Sequence, residues 1–207
     1  MKDETNRFFW EKIAGIYGKA MSKSGKLYDE ICDLIRPGLS SDMNVLEIGC
    51  GTGQLSYPLS GRVRLWEATD FSPAMIREAK RNNDSKKLHF TVADAICLPY
   101  GDETFDAVVI ANTLHIMPHP ELALREIHRV LKKDGMLYAP TFLKGKCFSA
   151  RLRIRIMELA GFHVFHNWNE WELAGNVKEN GFDRIRYKVI GPDISRLCYL
   201  EARRREV

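Results

Sequence analysis

The sequence predicts an α/β fold built on a mostly parallel, doubly wound sheet, and three observations carry that prediction. The first is the stretch Val45-Leu46-Glu47-Ile48-Gly49-Cys50-Gly51-Thr52-Gly53-Gln54, where an apolar run passes into glycines at alternate positions. This is the pattern of a buried strand that turns sharply into a helix. Glycine suits such a turn because it accepts positive φ and, without a Cβ, lets a ligand rest on the main chain. The second is Asp70, 19 residues past Gly51 at the end of the next predicted strand. A carboxylate there can accept both hydroxyls of a ribose, because the two strands end side by side at one edge of the sheet. The third is the regular alternation of strand and helix patterns from residue 45 to residue 142, as parallel strands with crossover helices require.

With 207 residues, 45% hydrophobic and 28% charged, the chain is long enough for one domain with a full core. One domain over 1–207 is expected, with N-terminal helices over 1–40 and a substrate cap over 143–168. No run of about 18 apolar residues occurs, so no membrane span is expected. Residues 1–7 are largely polar or charged and carry no apolar signal core. Cys32, Cys50, Cys97, Cys147 and Cys198 are scattered and form no C-x-x-C pair. A reduced, cytoplasmic setting follows, and a disulfide framework or a metal site does not. The net charge of +4, with much of its excess at Arg203-Arg204-Arg205, is too small to mark a nucleic-acid binder.

Phe8, Phe9, Trp10, Ile13, Ile16 and Tyr17 recur at helical spacing ahead of the sheet. A second helix is expected over 26–36, with the stripe Leu27, Ile31, Leu34, Ile35 and a stop at Pro37-Gly38. A short helix near 55–59 precedes a second strand over 63–70. Asp70 could also simply begin a turn, since Ser72-Pro73 forms an N-cap and first-turn pair for a helix to Lys80. A third strand covers 88–93, and a fourth, of buried parallel character, covers 105–111. The segment 112–120 leaves that strand at its C-terminal end, where open α/β sheets bind ligands. Pro120 opens a helix to about Lys133, with Asp134-Gly135 as its C-cap and a fifth strand over 136–142.

Over 143–167 the pattern loosens. Phe148, Leu152 and Ile156 could line one side of a helix, among Lys144, Lys146, Arg151, Arg153 and Arg155. This is either a solvated cationic face or a cap that attracts an anionic substrate. Asn169-x-x-Glu172 is a capping-box variant opening a helix that ends at Asn180-Gly181. Two closing strands, over 182–190 and 195–202, complete the chain.

From Val45 to Gly53 the sequence matches hydrophobic-hydrophobic-(Asp/Glu)-x-Gly-x-Gly-x-Gly, and so resembles motif I of the class I S-adenosylmethionine-dependent methyltransferases. Three further strings are similar to that family: Ser72-Pro73-x-Met75, Asp94-Ala95-Ile96-Cys97-Leu98-Pro99, and the stretch from Leu124 to Leu137. The opening F-W-E-K-I-A-x-x-Y resembles the ubiquinone/menaquinone-biosynthesis-type branch, although Gly18 stands where that branch commonly has Asp. The resemblance implies a Rossmann-like seven-stranded sheet, mostly parallel with an antiparallel last strand and helices on both faces. It implies S-adenosyl-L-methionine as cofactor and a small-molecule methyl acceptor. The glycine turn (Gly49, Cys50, Gly51, Gln54) and Glu47 would hold the methionine portion, with Asp70 on the ribose. Asp94 and the Ala95 N–H would meet the adenine between Phe71 and Ile96. Tyr17, Met75 and Asn112 complete the expected cofactor contacts.

Methyl transfer is an in-line displacement at a sulfonium carbon, so the protein mainly supplies orientation and desolvation. Where the nucleophile must lose a proton, His115 is the best-placed catalytic candidate, with His119 weaker; either could equally be a loop histidine. Neither His115-x-x-x-His119, interrupted by prolines, nor His163-x-x-His166, without a third ligand nearby, makes a metal site. Gln54 occupies the third-glycine position of the dinucleotide fingerprint, which argues against a nicotinamide cofactor. Ala111-Asn112-Thr113-Leu114 lacks the N-P-P-(Y/F) of amino-directed nucleic-acid and protein methyltransferases. A cofactor-binding module without catalysis is the alternative from another class.

Overall fold

The computed structural model describes residues 6–21, 25–81, 83–145, 155, 158–159, 161–192 and 195–206. Most of the expected cap helix, with Lys146, Phe148, Arg151, Leu152, Arg153 and Ile156, lies outside the described residues.

Five parallel strands form the body of the sheet: β1 (Asn44–Ile48), β2 (Leu65–Asp70), β3 (Leu88–Val92), β4 (Phe105–Ile110) and β5 (Leu131–Tyr138). They stand in the order β3-β2-β1-β4-β5. The chain therefore winds one way from β1 to β3 and the other way from β4. The switch point at the C-terminal ends of β1 and β4 opens the crevice where such sheets bind ligands. Three more strands are β6 (Thr141–Phe142), β7 (Phe182–Ile190) and β8 (Leu197–Arg204). β8 lies antiparallel against β5, and β7 pairs antiparallel with the other side of β8.

The eighth strand beyond the seven expected is a break within one of them. Tyr138 pairs with Glu201 and Thr141 with Cys198, so β6 continues β5 in unchanged register. Pro140, which has no N–H to give the ladder, separates the two.

Side chains that alternate along the strands feed two cores, as period-2 geometry requires. Val45, Trp66, Ala107 and Val109 meet α2 (Gly25–Ile35), α3 (Ser56–Ser60) and α4 (Pro73–Lys80) on one face. Leu46, Ile48, Val108 and Ile110 meet α5 (Pro120–Val130) and α6 (Glu170–Glu179) on the other. The helix α1 (Arg7–Met21) lies on α4, with Ala14, Ala74 and Met75 at the contact.

One expected boundary is corrected. The helix from Pro120 ends at Val130, not near Lys133, and Leu131 already has extended backbone. The reason is a cap from elsewhere in the chain: Glu103 N and Thr104 N donate to the carbonyls of Arg129 and Val130, at 3.0 and 2.8 Å. The last carbonyls of a helix need such donors. Asp134 keeps the expected turn character, with φ of 59°, but inside an irregular start to β5.

Candidate active site

At the switch point the structure forms a cleft of about 1070 Å³ including its mouth. Its floor is the turn after β1. Cys50 N donates to Thr69 O at 2.9 Å, and Gly51 N donates to Asp70 Oδ2 at 2.9 Å. The turn is thereby tied to β2 at two successive residues. Gly49 has φ of +71°, and a Cβ there would collide with Thr113 Oγ1. Gly51, with φ of +55°, would meet nothing closer than 3.5 Å, and it faces the cleft beneath Tyr17. Two separate demands therefore select glycine in this turn: close packing at Gly49 and open main chain at Gly51.

Asp70 sits at the end of β2. Besides the bond from Gly51, its Oδ1 accepts Ser72 N at 2.8 Å. Each oxygen thus carries one backbone bond and keeps a lone pair toward the cleft. Burial pushes its pKa up, and the two N–H bonds oppose that shift. Ser72 caps α4 by accepting Met75 N, so carboxylate and helix cap share one turn.

Glu47 lines the floor but is 2% exposed. Its Oε2 accepts Ser56 Oγ at 2.5 Å and Trp66 Nε1 at 2.8 Å. The carboxylate therefore pins β1 to α3 and to β2. Burial pushes its pKa up to about 7, against the lowering effect of those two donors.

Asn112, at the end of β4, has φ of +53°, and its backbone N donates to Pro140 O at 2.7 Å. Among the described residues neither polar atom of its side-chain amide has a partner within hydrogen-bond geometry, although the Tyr28 phenol stands close to it. An orphaned buried amide costs on the order of 1–3 kcal/mol per group, so a ligand that satisfies it gains by that margin.

The roof comes from the N-terminal segment. Asn6 donates through Nδ2 to the carbonyls of Ile116 and His163, both at 2.9 Å, and accepts His163 N at 2.7 Å. It clasps the start of α1 to the turn after β4 and to the segment before α6. Behind it Trp10 and Tyr17 meet edge to face, with Trp10 also against Phe162. Arg7, paired with Glu11 at 2.9 Å, holds its guanidinium 5.4 Å above the Phe71 ring.

Of the expected site residues, Tyr17, Glu47, Gly49, Cys50, Gly51, Gln54, Asp70, Phe71, Met75, Asp94, Ala95 and Asn112 all line this one cleft. Two do not. Ile96 is not on the wall; its backbone N donates to Asp94 Oδ1 and so shapes the turn that presents Asp94. His115 is also off the wall, in the 3-10 turn Leu114–Ile116, and is 7% exposed. Burial, then the neighbouring His166, push its pKa down to about 4. The expectation of a near-neutral base at the cleft is thereby corrected: one turn of 3-10 helix aims Ile116 and Met117 at the cleft and His115 behind it. His119 is exposed beside Glu121, at 3.2 Å.

Sequence reasoning missed Asn6, Arg7, Trp10, Tyr28, Thr113, Ile116 and Met117 as wall residues. Tyr28 had a legible signal. It lies near the start of α2, a helix that runs down into β1, so its end of the helix stands level with the strand C-termini. Its phenol lies half-buried beside that of Tyr17, and desolvation raises the pKa of both.

A family profile described as a methyltransferase domain matches residues 46–139, which run from β1 past the end of β5 and hold most of this floor. The chain belongs to the class I S-adenosylmethionine-dependent methyltransferases. An uncharacterized chloroplastic methyltransferase of Arabidopsis thaliana is 34% identical over 160 residues, 69% of this chain and 44% of that one. The ubiquinone/menaquinone biosynthesis C-methyltransferase UbiE of Chromobacterium violaceum is 29% identical over 196 residues, covering 85% of this chain and 74% of its own. The chain thus spans less than half of the first relative's length and about three quarters of the second's.

Among solved structures, a chain of the complex between the Haloferax volcanii Trm112 methyltransferase activator and its methyltransferase superposes with a TM-score of 0.79 at 17% identity. That match covers 97% of this chain and 98% of the other. A Thermotoga maritima S-adenosylmethionine-dependent methyltransferase gives 0.76 at 20% identity, covering 95% and 98%. At these identities the likeness is one of fold, the Rossmann-like methyltransferase sheet. S-adenosylmethionine is the cofactor of this methyltransferase family, and the cleft suits it: open main chain at Gly51, spare lone pairs on Asp70, and an unsatisfied amide on Asn112.

Proposed function

We propose that this methyltransferase moves a methyl group from S-adenosylmethionine to a small-molecule acceptor held between α1 and the turn after β4. The observation that carries the reading is the continuity of the cleft. It runs from Asp94 and Asp70 over Gly51 to Asn112, and on beneath Trp10 to Ile116 and Met117. The first part suits a nucleoside: Asp70 for the ribose hydroxyls, Asp94 and Ala95 for the adenine, Phe71 against its face. Glu47, Gly49, Cys50, Gln54 and Asn112 surround the place of the methionine portion, with Met75 and Tyr17 completing the wall. The apolar end under Trp10 is the place of the acceptor.

When bound, the cofactor supplies a methyl group on a good leaving group. The chain's own residues orient the acceptor and exclude water. With His115 behind the wall, the favoured acceptor is one whose nucleophile needs no base from that turn. The relative named for ubiquinone/menaquinone biosynthesis supports a quinone-like ring acceptor, while Gly18 argues against quinone synthesis itself. Arg7 on the wall favours an acceptor with negative charge.

Residues 143–168 serve in this reading as the acceptor's cap. Lys144 N donates to Trp168 O at 2.9 Å, and Phe165 N and His166 N both donate to His115 O. The free cysteines Cys32, Cys50, Cys97 and Cys198 support a reducing compartment, here the cytoplasm. Among the described residues no helix is long and apolar enough to cross a membrane.

Calorimetric titration with S-adenosylmethionine, S-adenosylhomocysteine and NAD tests the reading. The two sulfur compounds should bind with micromolar affinity and NAD should not. Asp70→Ala should weaken the sulfur compounds by roughly 1–3 kcal/mol, the range for a lost polar partner. Binding of NAD alone would overturn the assignment; unchanged affinity in the variant would remove Asp70 from the ribose site.

A further inference from the structure

The helix α1 has apolar side chains on two sides. Phe9 and Ala14 are buried and Trp10, Ile13 and Tyr17 half-buried, which is the single inward stripe expected of a surface helix. Its outward side carries Phe8, Lys12, Gly15 and Ile16, all exposed, with Phe8 at 65% and Ile16 at 66%. Positions four and eight apart share one side of a helix, so Phe8 and Ile16 stand about 12 Å apart along the axis with Lys12 between them. The segment clasped to α1 extends this surface. Phe162 packs on Phe9 and Trp10 at 5.1 and 5.5 Å, and its near neighbours Leu159 and Phe165 are exposed, Leu159 at 90%. Four of the seven large apolar side chains exposed among the described residues thus belong to the roof of the cleft.

The charge of the chain is divided in the same way. In sequence, residues 1–26 carry six basic and three acidic side chains and residues 143–168 carry five and one, a net of +7, whereas the rest of the chain nets −3. Lys12, Lys144 and Arg155 are exposed cations of these segments, and Glu158 is an exposed acid. Large apolar side chains set among cations complement an anionic, amphiphilic surface: the apolar groups enter it, lysine stems lie along the boundary, and the charges meet the headgroups. A second copy of the chain is a poorer occupant, since it would bring one positive roof against another. We propose that the outward side of α1, with the exposed Leu159 and Phe165 beside it, docks this methyltransferase on an anionic lipid bilayer. The helix, 15 residues long, lies along the bilayer and is too short to span it. Phe8 and Ile16 enter between the headgroups, and the acceptor end of the cleft, which lies beneath Trp10 of the same helix, is held close to the lipid phase.

The test is co-sedimentation of the full chain with vesicles of phosphatidylcholine alone, and of phosphatidylcholine and phosphatidylglycerol in a ratio of about three to one. The protein should bind the mixed vesicles at low salt, bind phosphatidylcholine alone about tenfold less, and be released as salt screens the headgroups. Lys12→Ala should weaken partitioning about fivefold, the effect of one basic residue at an anionic surface. Phe8→Ser combined with Ile16→Ser should weaken it by about tenfold or more. Trp171, another exposed aromatic, packs on Tyr187 and belongs to α6 on the opposite face of the sheet. Trp171→Ser should therefore leave partitioning unchanged.

Failure to bind the mixed vesicles, equal binding to both compositions, or undiminished binding of the Phe8 and Ile16 double variant would overturn the proposal. So would dimerisation of the wild-type protein in solution with a monomeric double variant, which would make this side of α1 an interface between copies. All the substituted side chains are exposed, and Lys12→Ala gives an independent reading should the double variant not fold. No arm contains S-adenosylmethionine, so loss of the docking and loss of the cofactor reading are separate results.

Discussion

Gly49 shows how little freedom single residues have at the floor of the site. Its φ of +71° disfavours any side chain, and a Cβ would run into Thr113, so the turn after β1 and the turn after β4 are fitted against each other. Left-handed backbone at a non-glycine residue costs on the order of 1–3 kcal/mol, and overpacking costs a similar amount. Gly49→Ala should therefore lower unfolding stability by roughly 2–4 kcal/mol. Adding Thr113→Ala should recover the collision part and leave the backbone part. Urea unfolding of both variants measures this, and equal stability of the single and double variants would show that Thr113 plays no role.

At this scale the sequence was informative where a motif constrains the backbone. Gly49, Gly51 and Asp70 stand at strand ends, where spacing locates them, and Asp94 follows β3, where the family resemblance implies it. Asn6 and Thr113 were not legible, because their roles arise from contacts between segments far apart in the chain. His115 misled for a related reason: position past a strand end places a residue near the cleft, but only the phase of the 3-10 turn decides which of Leu114, His115 and Ile116 faces it.

Among the elements, α6 shows a start that was fully readable. Asn169 accepts Trp171 N and Glu172 N, both at 2.9 Å, and Glu172 returns a bond to Asn169 N at 2.8 Å. This is the reciprocal capping box expected from Asn169-x-x-Glu172. α6 buries Leu173 and Val177 in the core that also holds Phe182, so loosening its first turn loosens that face of the sheet. Asn169→Ala should cost about 1 kcal/mol in unfolding free energy, and Asn169→Asp much less, since Asp caps comparably. Chemical denaturation of the pair is the check; identical losses would mean that the cap bond contributes nothing. The end of α5 was less readable because its capping donors come from the turn at Glu103 and Thr104. A C-cap drawn from local sequence cannot anticipate donors that arrive through the sheet.

Over the whole molecule, two buried groups oppose each other in pH. The carboxyl of Glu47 rises from an ordinary 4.5 to about 7 on folding. The native state therefore binds the extra proton, and stability falls as pH rises from about 4.5 through 7. His115 moves the other way, from 6.5 to about 4, so the native state keeps it neutral and stability falls as pH drops from about 6.5 through 4. Each shift corresponds to an order of 3 kcal/mol at its far side. Glu47→Gln should thus gain stability relative to wild type at pH 8 and little at pH 4.5. His115→Phe should lose less than wild type between pH 6.5 and pH 4.5. Thermal unfolding across this range reads both limbs, and parallel profiles for wild type and variants would contradict the assignment. The fold was legible as a mostly parallel sheet with an antiparallel last strand and helices on both faces, although the strand order came only with the structure. The eighth strand was not, since a proline inside a strand pattern does not by itself say whether the ladder ends or resumes.

The clasp at Asn6 also bears on the order in which the molecule is made. Its partners lie 110 and 157 residues further along the chain, among the longest-range contacts of the site. Translation delivers Asn6 first, yet its hydrogen bonds cannot close until the segment at His163 has left the ribosome. Contacts of such separation pay the largest loop-closure entropy and form late. The floor of the cleft, from β1 to β4, can assemble while its roof still waits. The cofactor's seat can therefore exist in the open, and it becomes a chamber only once the segment at His163 is available.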